Sequence, residues 1–328
     1  MKSRKKDTKR MSQHSPLISV LLCMYNDEKF IQNSVNSIIS QTYKNWEMII
    51  IDDGSQDNTY NIVKQIKDPR IKIYRQKNKG LTRSLNIAAN HAKGEFLARQ
   101  DADDISLPNR FERQIELFQV NPDYYIVGSD LAFINEDGDI VETRTSARNK
   151  LQAIQTLSRL SAPFGHGSLM LRKIAFDQIN GYDESYPVSQ DFDLLLRISQ
   201  LDGEMGSVPE ILYQWRVHPE SVTSKKWWVQ LIQSLKAHKN VKQILHRTYR
   251  RRNFFVFLFT KLFVGFSYIL FSPQAFYFYR LAARSYNEVD FSSAQKYFQH
   301  ANTRSRISLP HGALPLIAKI IKLKHFVN

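Results

Sequence analysis

Between residues 17 and 98 the chain alternates short apolar runs with segments of helical periodicity, and this alternation narrows the fold more than any other feature. Residues 17–24 (LISVLLCM) are almost continuously apolar. That is the pattern of a strand covered on both faces, as in a parallel sheet. Residues 46–51, 71–74 and 95–98 read as further strands. Between them, residues 28–40 carry Phe30, Ile31, Val35, Ile38 and Ile39 at helical spacing, 58–66 follow Asp57 as a cap, and 80–92 make a third helix. Strands alternating with helices of this length predict an α/β fold with a doubly wound, mostly parallel sheet. In such sheets ligands bind beyond the strands' C-terminal ends.

Carboxylates collect at those ends. Asp52-Asp53-Gly54-Ser55 follows the second strand, and Asp101-Ala102-Asp103-Asp104 follows the fourth. Such a cluster repels itself unless something positive comes to it. A hard divalent cation prefers oxygen ligands and often carries substrate phosphates with it. A solvated acidic loop is the competing reading, with Asp104 or Ser106 capping a helix whose first turn holds Pro108. The strand-end position favours the ligand.

After a helix at 108–120, strands are expected at 124–133 and 140–144, joined by a turn at 135–139, and a short one at 168–171. A helix from Lys173 breaks at Gly181. Another at 189–201 opens with Ser189 and has Asp191 and Asp193 in its first turn. A last strand at 211–217 runs into Arg216-Val217-His218-Pro219.

The single cysteine, Cys23, excludes an internal disulfide framework and fits a reducing compartment; inside an apolar strand it reads as core. The net charge of +15 is unevenly spread. Residues 1–15 carry six Lys/Arg against one Asp, and residues 201–328 carry 19 basic against 6 acidic residues, leaving 16–200 at −3. The basic surplus is therefore remote from the carboxylates and implies an anionic partner, a membrane surface or nucleic acid. Residues 1–15 lack an apolar run and read as a disordered basic arm rather than a secretory leader.

Residues 225–252 read as a basic helix with an apolar stripe of Leu231, Leu235, Val241, Ile244 and Leu245. Arg250-Arg251-Arg252 leads into residues 254–271, with seven Phe and one charge at Lys261. That stretch is at the lower limit for a bilayer span, and a mid-span Lys costs roughly 2.5–3.5 kcal/mol. An interfacial position with Phe inserted is preferred, then a single span, then a buried core helix. Residues 282–305 suggest a helical hairpin (Ala294, Tyr297, Phe298, Ala301), and 314–326 another surface-attachment segment. The division expected is an arm at 1–15, a catalytic domain at 16–220 and a helical, aromatic-rich, membrane-associating appendage at 221–328.

Ile18-Ser19-Val20 with Tyr25-Asn26, then Asp52-Asp53-Gly54-Ser55, then Asp101-Ala102-Asp103-Asp104 with Pro108, then Gln190-Asp191 resemble the family 2 glycosyltransferases. The resemblance covers residues 16–220. It implies a GT-A fold and metal-dependent transfer, with inversion, of a sugar from a nucleotide-sugar donor. On the matching positions it implies that Asp53 reads the nucleotide base, with Tyr25 near the same pocket and Asp101 towards the ribose. Arg83 either approaches the donor or is a solvated helix residue. Asp103 is implied as the direct ligand of Mn²⁺ or Mg²⁺, with Asp104 in support, the metal bridging the diphosphate. Asp191 matches the catalytic base of a motif usually written Glu-Asp; here Gln190 departs from it. Asp193 suits a helix-dipole role instead. His218 contacts metal or diphosphate, or is structural; His166, between Gly165 and Gly167, sits in the acceptor region, or is likewise structural.

An acceptor hydroxyl on a lipid-linked or surface glycan, met at the cytoplasmic face of a membrane, would suit the basic appendage. A nucleotidyltransferase would need a basic Gly-rich phosphate loop, which this sequence lacks. A degenerate domain serving as a membrane or nucleic-acid binding module is opposed by the intact Asp53, Asp103 and Asp191. Nucleic acid is not an expected partner.

Overall fold

The run at 17–24 folds as β1 (Ile18–Met24), with every residue buried. A computed structural model describes residues 15–158 and 161–218, with Gln233, Ser234, Lys236, Ala237 and Gln299 beyond them. Apart from those few, the expectations for the arm at 1–15 and for 225–252, 254–271, 282–305 and 314–326 lie outside the described residues.

The first half alternates as the periodicity predicts. After β1 come α1 (Ile31–Ile39), β2 (Trp46–Asp52), α2 (Thr59–Lys64), β3 (Ile71–Arg75), α3 (Leu81–His91) and β4 (Phe96–Asp101). The second half has β5 (Ile105–Ser106), α4 (Arg110–Val120), β6 (Tyr124–Ile134), β7 (Ile140–Arg144), α5 (Lys150–Ser158), β8 (Met170–Arg172), α6 (Lys173–Gln178), α7 (Gln190–Ile198) and β9 (Glu204–Arg216). Helix α5 and the short β5 have no counterpart in the sequence reading.

β1 lacks polar alternation because both its faces are covered. Leu21 and Cys23 join Leu85 and Ala88 of α3 and Phe192 and Leu195 of α7 in one buried layer. Val20, Leu22 and Met24 point the other way, into a layer with Ile31, Val35 and Ile38 of α1 and Phe111, Ile115 and Phe118 of α4. Each large apolar side chain so buried contributes about 1.5–3 kcal/mol.

Among the described residues the strands form one sheet in the order β3-β2-β1-β4-β8-β6-β9-β5, with β7 on β6. β3, β2, β1 and β4 run parallel, as expected. Past β4 the expectation of a mostly parallel sheet is corrected: β8 pairs antiparallel with both β4 and β6, and β5 antiparallel with β9. The sheet is therefore mixed, since β6 and β9 pair parallel again across the segment that holds α5, α6 and α7.

β9 begins well before the expected 211. Pro209 and Glu210 are skipped in its register with β6, where Ser129 faces Val208 and Asp130 faces Ile211. A proline with no N–H to donate sits in this irregularity, and it disguised one long strand as a short one.

The path of the chain sets the site. From β1 it winds outward through β2 to β3, then crosses back to β4 on the other side of β1. This reversal opens a crevice beyond the carboxyl ends of β1 and β4. Register puts Met24 beside Asp52 on one side and Cys23 beside Asp101 on the other.

Candidate active site

Asn26, directly after β1, adopts a left-handed backbone (φ 58°), which asparagine tolerates. Its Oδ1 accepts the Gln56 N–H at 2.8 Å, and its own N–H donates to Ser55 Oγ at 3.2 Å, tying this turn to the loop after β2. In that loop Gly54 has φ 85°, and a Cβ there would stand 3.0 Å from the Asn78 nitrogen, so only glycine fits comfortably. Asp52, fully buried, accepts the Ser55 N–H at 3.0 Å and serves the turn. Asp53 accepts Gln76 Nε2 at 2.7 Å and the Lys79 and Gly80 N–H groups at 2.9 and 2.8 Å. A carboxylate has about four acceptor positions, so these three bonds leave one for a further N–H. Tyr25 is 45% exposed at the same strand end.

The acidic loop joining β4 to β5 divides its carboxylates among different partners. Asp101 Oδ1 is paired with the guanidinium of Arg99. Burial raises the Asp101 carboxyl above its ordinary range, Arg99 opposes this, and Asp103 and Asp191 add to it. Asp103 Oδ2 lies 2.8 Å from His218 Nε2. Asp104 is 2% exposed. Its oxygens accept the Tyr213 hydroxyl at 2.8 Å and the Arg216 backbone N–H at 2.7 Å. Burial, then the charges of Asp103 and Asp101, hold its carboxyl well above the usual range. This geometry makes Asp104 the anchor of the loop to β9.

Arg216 locks the same corner. Its Nε donates to the Asp103 carbonyl at 2.9 Å, and its Nη1 donates to the carbonyls of Asn135 and Glu136 at 2.8 and 2.9 Å. Phe30 packs beneath, its ring 4.6 Å from the Arg216 guanidinium and 5.3 Å from the His218 ring.

Asp191 stands in the first turn of α7, half-buried. Burial raises its carboxyl; the N–H groups of Phe192 and Asp191 itself, and then Arg99 and Arg144, pull it down. Asp193 instead accepts Arg197 Nε at 2.8 Å, one helical turn on. Arg83 donates to Glu184 at 2.8 Å, so its charge is already engaged at the surface. His166 begins a 3-10 turn (His166–Ser168), with Nε2 2.8 Å from the Tyr182 hydroxyl. Burial keeps its imidazole well below the ordinary range. The glycines beside it serve protein packing. A Cβ on Gly167 would meet the Tyr213 hydroxyl at 2.0 Å, and one on Gly165 would meet Leu131 at 2.6 Å.

Three residues here escaped the sequence reading. Arg99 is 1% exposed, and its charge reaches Asp101, Asp191, His166 and Tyr182. Arg110 is fully buried and donates only to neutral groups, including Ser106 Oγ at 2.8 Å and the carbonyls of Arg99 and Leu169 at 3.0 and 3.1 Å. Asp27 faces the acidic loop; burial and the charge of Asp103 push its carboxyl up to about 7. The signal available for Arg99 was a charged residue inside the apolar β4 pattern, two positions before a carboxylate.

The model of the family described as "Glycosyl transferase family 2" matches residues 19–179. EpsE of Bacillus subtilis (strain 168), named as a glycosyltransferase, is 35% identical over 209 residues, covering 61% of this chain and 73% of that protein. The chain belongs to glycosyltransferase family 2. The O-antigen biosynthesis glycosyltransferase WbnJ of Escherichia coli is 33% identical over 213 residues, covering 62% of this chain and 81% of that protein. The mannosyltransferase PcManGT of Pyrobaculum calidifontis, solved with GDP-Man and Mn²⁺, superposes with a TM-score of 0.53 at 16% identity, over 94% of this chain and 81% of that one. At that identity the likeness is one of fold, and the fold is GT-A. Membership decides between the two enzyme readings of the carboxylates: the chain is a glycosyltransferase and not a nucleotidyltransferase.

The residues present fit a divalent cation. Asp103 and His218 offer an oxygen and a nitrogen ligand at the mouth of the crevice. No set of three His, Cys, Asp or Glu side chains among the described residues converges as a complete cage. Mg²⁺-like ions bound to substrate phosphates commonly take one or two protein carboxylates and fill their remaining positions from phosphate and water.

Proposed function

We propose that this glycosyltransferase moves a sugar from a nucleotide diphosphate sugar to an acceptor hydroxyl by a single, metal-dependent displacement with inversion. The observation that carries this reading is the division of labour at the crevice. Asp103 lies beside His218, Asp191 opens α7, and the buried Arg99 acts on both Asp101 and Asp191, which supports a metal and donor role for the first and a base role for the second.

In this reading the remaining acceptor position of Asp53 takes an N–H of the base, with Tyr25 alongside. Asp101 lies towards the ribose. Arg83 reaches the donor only by leaving Glu184. Asp103, with His218 beside it, would hold Mn²⁺ or Mg²⁺, which supplies positive charge to the diphosphate as it departs. Asp104 supports the loop from behind rather than ligating. Asp191 accepts the proton of the acceptor hydroxyl while that oxygen bonds to the anomeric carbon. The bond from that carbon to the diphosphate oxygen breaks, its electrons leave with the nucleoside diphosphate, and attack from the opposite face inverts the centre.

The acceptor in this proposal is a lipid-linked or surface glycan, met at the cytoplasmic face of a membrane. The excess of 19 basic over 6 acidic residues in 201–328 supports an anionic surface as partner, and residues 254–271 supply the aromatic insertion. Among the described residues no helix is long and apolar enough to cross a membrane.

The test is a panel of UDP- and GDP-sugars incubated with the protein and Mn²⁺, with release of nucleoside diphosphate measured. Asp191→Asn should bind the nucleoside diphosphate with Mn²⁺ as the wild type does and lose turnover by at least about a hundredfold. Turnover of Asp191→Asn at the wild-type rate would refute the base assignment.

A further inference from the structure

We propose that Ser234, Lys236 and Ala237, from the basic C-terminal third, clamp the loop that carries Asp191 and so complete the transferase site. The inference rests on Asp191 being the base.

Ser189, two positions before Asp191, has a left-handed backbone at φ 60° and ψ 22° and makes no side-chain cap to α7. For a residue with a Cβ this conformation is uncommon and persists only when the surroundings over-determine it. The surroundings are visible on two sides. From α3, Thr82 Oγ1 donates to the Tyr186 carbonyl at 2.7 Å. From the C-terminal third, Ser234 Oγ donates to Ser189 Oγ at 3.2 Å. The Lys236 ammonium lies 5.5 Å from the centre of the Tyr186 ring. Ala237 is 2% exposed and belongs to the same buried cluster as Tyr182, Tyr186 and Phe192.

These contacts bracket the base in sequence. Tyr182 and Tyr186 precede it, Ser189 turns the chain towards it, and Phe192 follows it. A helix whose first residues are aimed by a strained turn points its carboxylate only as well as that turn is held. Ala237 is a positioning residue in this scheme; its small side chain is buried in the aromatic cluster. The catalytic domain is then not closed at residue 220.

The experiment uses the full chain and the nucleotide sugar that the wild type hydrolyses fastest with Mn²⁺, so that water replaces the unidentified acceptor. Ala237→Arg overfills the seat, and the double variant Ser234→Ala/Lys236→Ala loosens it without disturbing the core. Kd for UDP or GDP with Mn²⁺, kcat, KM and Tm are measured for each. Displacing a catalytic group by an ångström costs on the order of a hundredfold. Ala237→Arg should therefore lose roughly 10–100-fold in kcat, with KM and the nucleotide Kd within about twofold of wild type. The double variant should lose kcat in the same direction, by a smaller factor, at unchanged Tm. If Ala237→Arg does not fold, the double variant decides. Wild-type kcat in the double variant, or kcat and nucleotide Kd worsening together with Tm, overturns the clamp. Asp191→Asn run alongside separates the two ideas. If it is inactive while the clamp variants are normal, only the clamp fails; if it turns over normally, the base reading fails first.

Discussion

Asp104→Asn should cost stability and spare nucleotide binding, whereas Asp103→Asn should do the reverse. Asp104 is 2% exposed and holds two donors, the Tyr213 hydroxyl at 2.8 Å and the Arg216 N–H at 2.7 Å. Asparagine can still accept the Arg216 N–H through Oδ1. Its amide nitrogen can donate to the Tyr213 oxygen, because a hydroxyl accepts as well as donates. What is lost is the charge-assisted part of two hydrogen bonds; what is gained is relief of a buried carboxylate held next to Asp101 and Asp103. The net should be about 1 kcal/mol, a fall of about 2–4 °C in Tm for a domain of this size. Asp104→Ala leaves both donors buried and unpaired at about 1–3 kcal/mol each, and so should fall further. Asp103 is partly exposed, and its side-chain partner is a single imidazole, so Asp103→Asn should move stability by less than about 0.5 kcal/mol. Thermal unfolding, with calorimetric titration of UDP and GDP in the presence and absence of Mn²⁺, reads both effects. Loss of Mn²⁺-dependent binding in Asp104→Asn at unchanged Tm would mean that Asp104 ligates, and the anchoring argument would fall.

Arg110→Met should destabilise by about 1–3 kcal/mol, because it removes the hydrogen bonds to Ser106 Oγ and to the carbonyls of Arg99 and Leu169, although Ser106 keeps Gln100 and Leu169 keeps the Arg99 N–H; a chemical-denaturation midpoint close to wild type would contradict this. His166 is held neutral by burial, so the unfolded chain takes up a proton near pH 6.5 that the folded state refuses. Its contribution is therefore present above pH 6.5 and lost as pH falls, and His166→Gln should flatten the decline of Tm between pH 7 and 5 relative to wild type. Burial pushes the Cys23 thiol up to about 12, so a thiol reagent at pH 8 should label the native protein only as fast as it unfolds; stoichiometric labelling within minutes at low temperature would place Cys23 outside the core.

The sheet's parallel half was legible because burial on both faces leaves a mark in one dimension, the near-continuous apolar runs of β1 and β2. The carboxylates were legible for a related reason: acidic residues placed directly after a buried strand stand where the sheet opens to a ligand. The antiparallel half was less legible. The short strand expected at 168–171 is β8, but β5 has two residues, too few for periodicity, and Pro209 hid the first part of β9. Side-chain roles were least legible where one motif holds residues of opposite use. Asp103 and Asp104 are adjacent and chemically identical, yet the strand-like turn points one at His218 and the other at Tyr213. No pattern in the sequence separates them; the register of β5 against β9 does, by setting Ser106 opposite Tyr213.

That separation explains how an acidic loop persists in a fold. Three neighbouring carboxylates would expel one another if each had only water for company. Asp101 is answered by Arg99, Asp104 by hydrogen bonds from β9, and Arg110 lies beneath as a buried positive charge that bonds no carboxylate. Desolvation draws the Arg110 guanidinium down to about 10, still far above neutrality, so its charge is permanent. Among the described residues no carboxylate bonds Arg110, and Tyr213, Asp101 and Asp104 offset its burial through space only in part. Asp103 is met, through its side chain, by the imidazole of His218. In the proposed reading Asp103 is the carboxylate that meets an incoming divalent cation and diphosphate, while its neighbours Asp101 and Asp104 are already held by Arg99 and by β9.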